Sequence, residues 1–213
     1  FLPRKFKIAI SGASEDRAAT AWHDVGLNML RNTEGEVGFR VMVGGGMGRT
    51  PLIGSVIREF LPWDQILNYL EAVVRAYNRF GRRDNKYKAR IKILVKAQGQ
   101  TYFDEVEAEY QRILSDGAHH TITNHELDRM RACLVAPPVD VVSESTQREA
   151  EQALLTQARN DKAFARWLQQ NVAPHRDPHL RVVTLSYKRL GQAPGDATAD
   201  QLDASALLAE QFS

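Results

Sequence analysis

The stretch Gly38-Phe39-Arg40-Val41-Met42-Val43-Gly44-Gly45-Gly46-Met47-Gly48-Arg49-Thr50-Pro51 constrains the fold more than any other part of the chain. Phe39, Val41 and Val43 alternate with Arg40 and Met42, a period of two that specifies a strand. The strand empties into a loop with four glycines in five residues. A chain uses glycine where backbone must take φ > 0 or approach something closely, and successive N–H groups in such a loop can form an anion-binding concavity. Arg49 adds a fixed charge beside it. A tight turn after a strand accounts for the same glycines. A Walker loop is excluded because no Gly-Lys-Ser/Thr follows, and the Rossmann G-x-G-x-x-G spacing is missing, which argues against a nucleotide-dependent enzyme built on Gly44 to Gly48.

With 213 residues, 43% of them apolar, the chain can bury a core as one domain or two small ones. No run of about 18 apolar residues predicts a transmembrane helix, and no signal segment opens the sequence. Cys133 is the single cysteine, so an internal disulfide is excluded and a reducing, cytoplasmic compartment fits. The net charge of +2 hides a strong polarity: residues 1–100 carry 17 Lys+Arg against 9 Asp+Glu, and residues 101–213 carry 11 against 17. Something anionic is expected to meet the first half. The chain starts at Phe1 without methionine and stops at Ser213 directly after a helical pattern, which reads as a piece of a longer polypeptide.

Along the chain, Phe6, Ile8 and Ile10 alternate with Lys5, Lys7 and Ala9 and predict a strand with one apolar face. Its other face begins with two lysines whose ammonium groups point the same way; two solvated lysines on an edge strand is the plain alternative. Arg17 to Leu30 has roughly helical apolar spacing, weakened by Gly26, and His23 beside Asp24 is a packed histidine or a general base. Ile53 to Phe60 is a short strand or a helical turn. Trp63 to Phe80 is a helix with Ile66, Leu67, Leu70, Val73, Val74, Tyr77 and Phe80 in one stripe, capped by Gly81. From Arg75 to Lys96 there are nine basic residues against the single acid Asp84, too lopsided for mere solubility, and an RNA- or phosphate-binding module would use such a run. Within it a helix over Lys88 to Ala97 turns Ile91, Leu94 and Val95 inward and sets Lys86 and Arg90 on one face. Tyr102 to Leu114 is an acidic amphipathic helix, and Asn124 to Val135 a short one that buries Cys133. His119, His120 and His125 do not converge at metal-ligand spacing, so no metal is assigned. Pro137-Pro138 marks a boundary, after which Thr146 to Val172 reads as one long helix, His179 to Leu190 as a strand and Ala199 to Phe212 as a capped helix. The fold class expected is α+β: a mixed or largely antiparallel sheet with helices on one face, a helical linker, and the start of a second βα unit.

Leu2-Pro3-Arg4-Lys5-Phe6-Lys7, the Val37 to Pro51 stretch, Phe60-Leu61-Pro62 and the basic Gly81 to Arg90 segment together resemble, in order and spacing, the siroheme-binding half of the nitrite and sulfite reductase family over roughly residues 1–115. Val182 to Ser213, with Ala193-Pro194-Gly195-Asp196, resembles the opening of that family's second ferredoxin-like half. The resemblance implies residues 1–136 as a siroheme-binding domain, 137–178 as a helical linker and 179–213 as the beginning of the second ferredoxin-like half. It also implies six-electron reduction of sulfite to sulfide or nitrite to ammonia at siroheme coupled to a 4Fe-4S cluster, with ferredoxin or an NADPH flavoprotein as electron donor. Siroheme bears many carboxylates, and both substrates are anions, so a cationic first half fits. Carried over residue by residue, Lys5 and Lys7 face the distal, catalytic side. Gly44, Gly45 and Gly46 lie against macrocycle carboxylates, Arg90 meets another, and Arg4 and Arg49 assist. The family's cluster cysteines, a C-x5-C and a later C-x3-C, have no counterpart in these residues, and Cys133 matches none of them. The fragment alone is therefore expected to lack a cluster, to hold siroheme weakly or not at all, and to be inactive.

Overall fold

A computed structural model describes residues 2–135, 143–193 and 195–212, which fall into two compact units, Phe1–Val135 and Ala136–Ser213. The Pro137-Pro138 boundary and Pro194 lie outside the described residues. In the first unit, strands β1 (Ile8–Ser11), β2 (Val25–Arg31), β3 (Val37–Val43) and β4 (Ser55–Pro62) form one sheet in that order, β1 parallel to β2 and the others antiparallel. Helices α1 (Ile66–Phe80), α2 (Ile91–Gln98) and α3 (Gln100–Ser115) follow, then α4 (Asn124–Cys133). The class is α+β with a mixed sheet.

The Gly-rich stretch does what its pattern requires, with Val41 and Val43 fully buried in a central strand. Asn32 pins the β2–β3 turn, its Oδ1 accepting from the N–H groups of Glu34 at 3.0 Å and Glu36 at 2.9 Å. The helix expected over Arg17 to Leu30 does not form. A short 3-10 turn, Thr20–Trp22, leads into β2, because Val25 and Leu27 also satisfy a period of two and are buried with the core. Gly26 is what lets the crossover lie flat on the sheet: a β-carbon there would come within 2.3 Å of the Thr20 carbonyl oxygen.

On β1 the expected apolar face is not the buried one. Ala9 and Ser11 are buried, whereas Ile8 and Ile10 are 44% and 58% exposed. The register pairs Ile8 with Val25 and Ile10 with Leu27, which places them on the helix-bearing face but at the outer strand, past the reach of the helices. Ala9 pairs with Gly26 beneath the crossover. The undecided stretch 53–60 resolves into β4. Register shifts between Phe39 and Val41 and between Val41 and Met42 break its alternation, which is why neither period fitted.

On α1 the buried stripe is Ile66, Tyr69, Ala72, Val73, Ala76 and Tyr77; Leu67, assigned inward from its spacing, is 48% exposed. These side chains meet Val106, Tyr110 and Ile113 of α3 and Val25, Leu27, Val41 and Val43 of the sheet. Each large apolar side chain so buried contributes about 1.5–3 kcal/mol. The buried tyrosines also need partners: Tyr102 donates to the Val73 carbonyl at 3.1 Å, and Tyr69 donates to Glu107, which Arg58 pairs at 2.9 Å. Cys133 is exposed, not buried, since α4 has no buried residue.

Glu109 on α3 is buried among three guanidiniums, at 3.3 Å from Arg75, 2.9 Å from Arg79 and 2.9 Å from Arg112. Burial pushes its carboxyl up, but hydrogen bonds from Arg79 and Arg75 prevail and hold it below its ordinary value. A carboxyl depressed in the folded state adds stability above its unfolded pKa and loses it as pH falls through the folded one. Glu109→Gln is expected to cost about 2 kcal/mol at neutral pH, less than a fully buried pair because the arginines are half-exposed. It should also flatten the fall in stability below pH 4.5. Urea unfolding across pH measures both, and a variant that keeps the acid limb would clear Glu109 as its source.

The second unit contains α5 (Glu144–Asn160), α6 (Lys162–Asn171), the two-stranded antiparallel pair β5 (Val172–Pro174) and β6 (Arg181–Val183), and α7 (Ala199–Phe212). The single long helix expected from Thr146 breaks at Asp161, whose φ of −128° is extended and whose Oδ1 caps α6 by accepting from Ala163 and Phe164 N–H at 2.8 and 3.0 Å. The strand expected over His179 to Leu190 is three residues long. The α7 start carries its capping box, with Thr198 N–H to Gln201 at 2.9 Å and Gln201 N–H to Thr198 Oγ1 at 3.2 Å. Among the described residues every buried side chain lies in the first unit.

Candidate functional site

A cavity of about 500 Å³ opens in the first unit where the loop after β3 meets the start of α2. Arg4, Arg49, Lys88, Arg90 and Lys92 line it, with Met47, Gly48, Thr50, Tyr87 and Ile93 completing the wall, and the lining holds no carboxylate. Three separate stretches of sequence thus deliver cations to one place. Arg4 sits 6.0 Å over the Tyr87 ring, and Lys86 Nζ is 5.3 Å from the same ring. Arg4 and Arg49 form no ion pair among the described residues, so their charge is available to a ligand.

The loop itself is held by a lysine. Lys92 is buried, and its ammonium donates to the carbonyls of Met47 at 3.0 Å and Thr50 at 2.6 Å. Burial, and then the neighbouring Arg90, push that ammonium below the ordinary lysine value. Leu52 closes the loop from the other end, exchanging two backbone hydrogen bonds of 2.9 Å with Gly46.

The three glycines have different reasons to be glycine. Gly44 adopts φ +83°, and a β-carbon there would meet Val95 at 2.8 Å. At Gly45 it would lie 2.2 Å from the Ala21 carbonyl oxygen. Only at Gly46 would it face the cationic groups, 3.1 Å from Lys92 Cδ and 3.2 Å from Arg90 Nη2. The concavity of free N–H groups expected from this run is also reduced: Gly44 N–H donates to the Asp24 carbonyl at 3.0 Å and Gly46 N–H to that of Leu52.

Lys5 and Lys7 are exposed and do not line the cavity, although they flank the strand entry next to Arg4. Arg90 does line it. Its Nε and Nη2 are engaged by one oxygen of Asp24, at 3.0 and 2.7 Å, and the other Asp24 oxygen accepts the Lys7 N–H at 3.1 Å. No sequence motif marks Asp24, and the neighbouring His23 has a structural role, its Nδ1 bonding the Ala19 carbonyl at 2.9 Å. The signal for Asp24 was an acid placed directly before a strand, where burial demands a cationic partner.

Four of the nine basic residues in the run, Arg75, Arg79, Arg82 and Arg90, are paired with acids. Arg75 and Arg79 are neutralised by Glu71, Glu105 and Glu109, Arg82 by Asp84, and Arg83 stacks 5.1 Å over Tyr77. Lys86 and Arg90 share no helix face, because α2 begins only at Ile91. The run is therefore not a continuous free strip from 75 to 96, and the part of it that lines the cavity is Lys88, Arg90 and Lys92.

Residues 1–113 match the family described as "Nitrite and sulphite reductase 4Fe-4S domain". The chain is 33% identical over 177 residues to sulfite reductase (ferredoxin) 1 of Mycolicibacterium paratuberculosis, covering 78% of this chain and 31% of that one. It is 34% identical over 123 residues to sulfite reductase (ferredoxin) of Synechococcus elongatus, covering 54% and 20%. To the sulfite reductase (NADPH) hemoprotein beta-component of Staphylococcus epidermidis it is 32% identical over 112 residues, covering 49% and 19%. A solved structure of the Mycobacterium tuberculosis NirA protein is 30% identical over 53% of this chain and 20% of its own, with a TM-score of 0.48. The matches span less than a third of the length of these curated relatives.

Proposed function

The chain belongs to the nitrite and sulphite reductase family, and from that premise we propose that its first unit is the siroheme-binding part of an enzyme that reduces sulfite to sulfide, or nitrite to ammonia, by six electrons. The observation that carries this reading is the cavity lined by Arg4, Arg49, Lys88, Arg90 and Lys92 without a carboxylate. That donor set fits a tetrapyrrole bearing many carboxylates. Arginine forks and an ammonium can each take one of them, and Gly46 leaves the backbone bare where a side chain would press on Arg90 and Lys92. In this reading Arg4, Arg49 and Arg90 hold siroheme carboxylates, and Gly44 and Gly45 shape the loop that presents Gly46.

Siroheme coupled to a 4Fe-4S cluster, when bound, would pass electrons from the external donor to the substrate; this chain's residues bind the anion and move protons. Each oxygen removed from sulfite or nitrite leaves as water, so proton donors must stand beside the substrate. The family resemblance gives that role to Lys5 and Lys7, and their exposure, with no salt-bridge partner for either ammonium among the described residues, is compatible with it. The electron donor is a ferredoxin or an NADPH flavoprotein, by analogy with the relatives named for each.

Purification of the full-length polypeptide tests this. The expected result is a green-brown protein with porphyrin-type visible bands that reduces sulfite or nitrite with a low-potential donor. A colourless protein with salt-sensitive RNA affinity would replace the reading with a nucleic-acid module.

A further inference from the structure

One buried carboxylate ties the two sides of the cavity together. Asp24 stands at the end of the crossover, its side chain 2% exposed, and it bonds to three stretches of chain. Its Oδ1 takes Arg90 Nε and Nη2, its Oδ2 takes the Lys7 N–H, and its carbonyl takes the Gly44 N–H at the entry to the glycine loop. Lys7 returns the connection through its own carbonyl, which accepts from Val25 N–H at 3.1 Å. Arg90 sits on extended backbone before α2, with φ −140° and ψ 149°, so nothing in a helix fixes the direction of its side chain. The Asp24 carboxylate does.

We propose that Asp24 is the positioning residue of this site, coupling the orientation of Arg90 to the backbone at Lys7. The consequence for charge is that Arg90, paired with Asp24, offers a directed N–H donor to a carboxylate and little net charge, while Arg4 and Arg49 supply the field. A second consequence is mechanical. Any shift of Arg90 on taking a siroheme carboxylate is passed through the same carboxylate to the strand entry that carries the proton-donating lysines. The functional half of this inference rests on the siroheme reading above; the coupling itself does not.

Two measurements separate the halves. In the 213-residue chain without cofactor, amide hydrogen exchange at Lys7 reads the coupling. Arg90→Gln does not touch Lys7, yet it should speed exchange there about tenfold by freeing the carboxylate, and Asp24→Asn should do at least as much. Unchanged protection at Lys7 in Arg90→Gln overturns the proposal. In the full-length polypeptide, siroheme content and the position of the visible bands are compared for Asp24→Asn, Arg90→Gln and the pair. Loss of a supporting partner of this kind costs about 10- to 100-fold in retention, and the two losses should not add, because one acts through the other. Additive losses, or wild-type bands in Asp24→Asn, overturn it as well. Should Asn at 24 fail to fold, Arg90→Lys serves: it keeps the charge but not the fork, and wild-type bands in that variant count against the proposal. A wild-type polypeptide that takes up no siroheme, while Lys7 protection still responds to Arg90, overturns the functional reading and leaves the coupling standing.

Discussion

Replacing Lys5 and Lys7 together by methionine is expected to leave siroheme bound to the full-length enzyme and to cut turnover by about 10²- to 10⁴-fold, the usual contribution of a positioned proton donor. The separation between binding and turnover follows from where the residues stand. The cavity proposed to take the siroheme carboxylates is lined by Arg4, Arg49, Lys88, Arg90 and Lys92, and neither of the two lysines is part of it. Both are exposed, so methionine, which keeps a similar stem length, removes charge and protons without opening a hole in the core. The Lys7 N–H bond to Asp24 is a backbone contact and survives the substitution. Visible spectra establish that the cofactor is retained, and steady-state reduction of sulfite and of nitrite reads the rate. Because the lost groups would act on protons, the deficit should be in kcat more than in cofactor content. An unchanged rate removes both residues from the mechanism, and loss of the bands moves them into the binding set instead.

What the sequence made legible was local, and what it hid was carried by distant partners. Helices α1, α2 and α3 show in their periods because one face of each is buried and that burial writes itself into spacing, while the strand over Phe39 to Val43 shows in its alternation although Met42 on its other face is buried as well. The helix expected over Arg17 to Leu30 does not form for a reason no local pattern carries: Val25 and Leu27 lie between two neighbouring strands, and Gly26 is needed because Thr20 lies across it. Likewise, Ile8 and Ile10 alternate correctly but sit at an outer strand, so the period was right and the burial was not. The basic run looked like one strip because its neutralising acids, Glu105 and Glu109, lie on α3, outside the run. At the cavity, Arg4, Arg49 and Arg90 were reachable through the resemblance. Asp24 and Lys92 were not, since each acts through a bond that spans dozens of residues. A break at Asp161, by contrast, was there to be read: an Asp before Lys162-Ala163-Phe164 is an N-cap signal that the run of helical spacing overrode.

Gly45→Ala should be the most destabilising single-methyl change in the glycine run, and Gly46→Ala should leave the fold nearly intact while weakening cofactor binding. The contrast rests on what each added β-carbon meets. At position 45 it would lie 2.2 Å from the Ala21 carbonyl oxygen and 2.7 Å from that of His23, both backbone atoms. The Ala21 carbonyl is itself held, accepting the Gly54 N–H at 2.7 Å, so relief would break that bond and lift the crossover from the loop. Overpacking against immobile backbone costs about 3 kcal/mol or more, which for a unit of this size lowers Tm by roughly 10 °C. At position 46 the near atoms are Lys92 Cδ at 3.1 Å and Arg90 Nη2 at 3.2 Å, side-chain atoms that can move by the few tenths of an ångström required. The fold therefore tolerates the methyl, at a cost of about 1 kcal/mol or less. Yet that small movement displaces two of the cations that line the cavity, so siroheme retention falls while Tm holds. Thermal unfolding and siroheme content, measured on both variants in the full-length polypeptide, decide it. If Gly46→Ala unfolds the protein and Gly45→Ala only loses cofactor, then the loop presents Gly45, not Gly46, to the ligand, and the cavity has been placed on the wrong side of the glycine run.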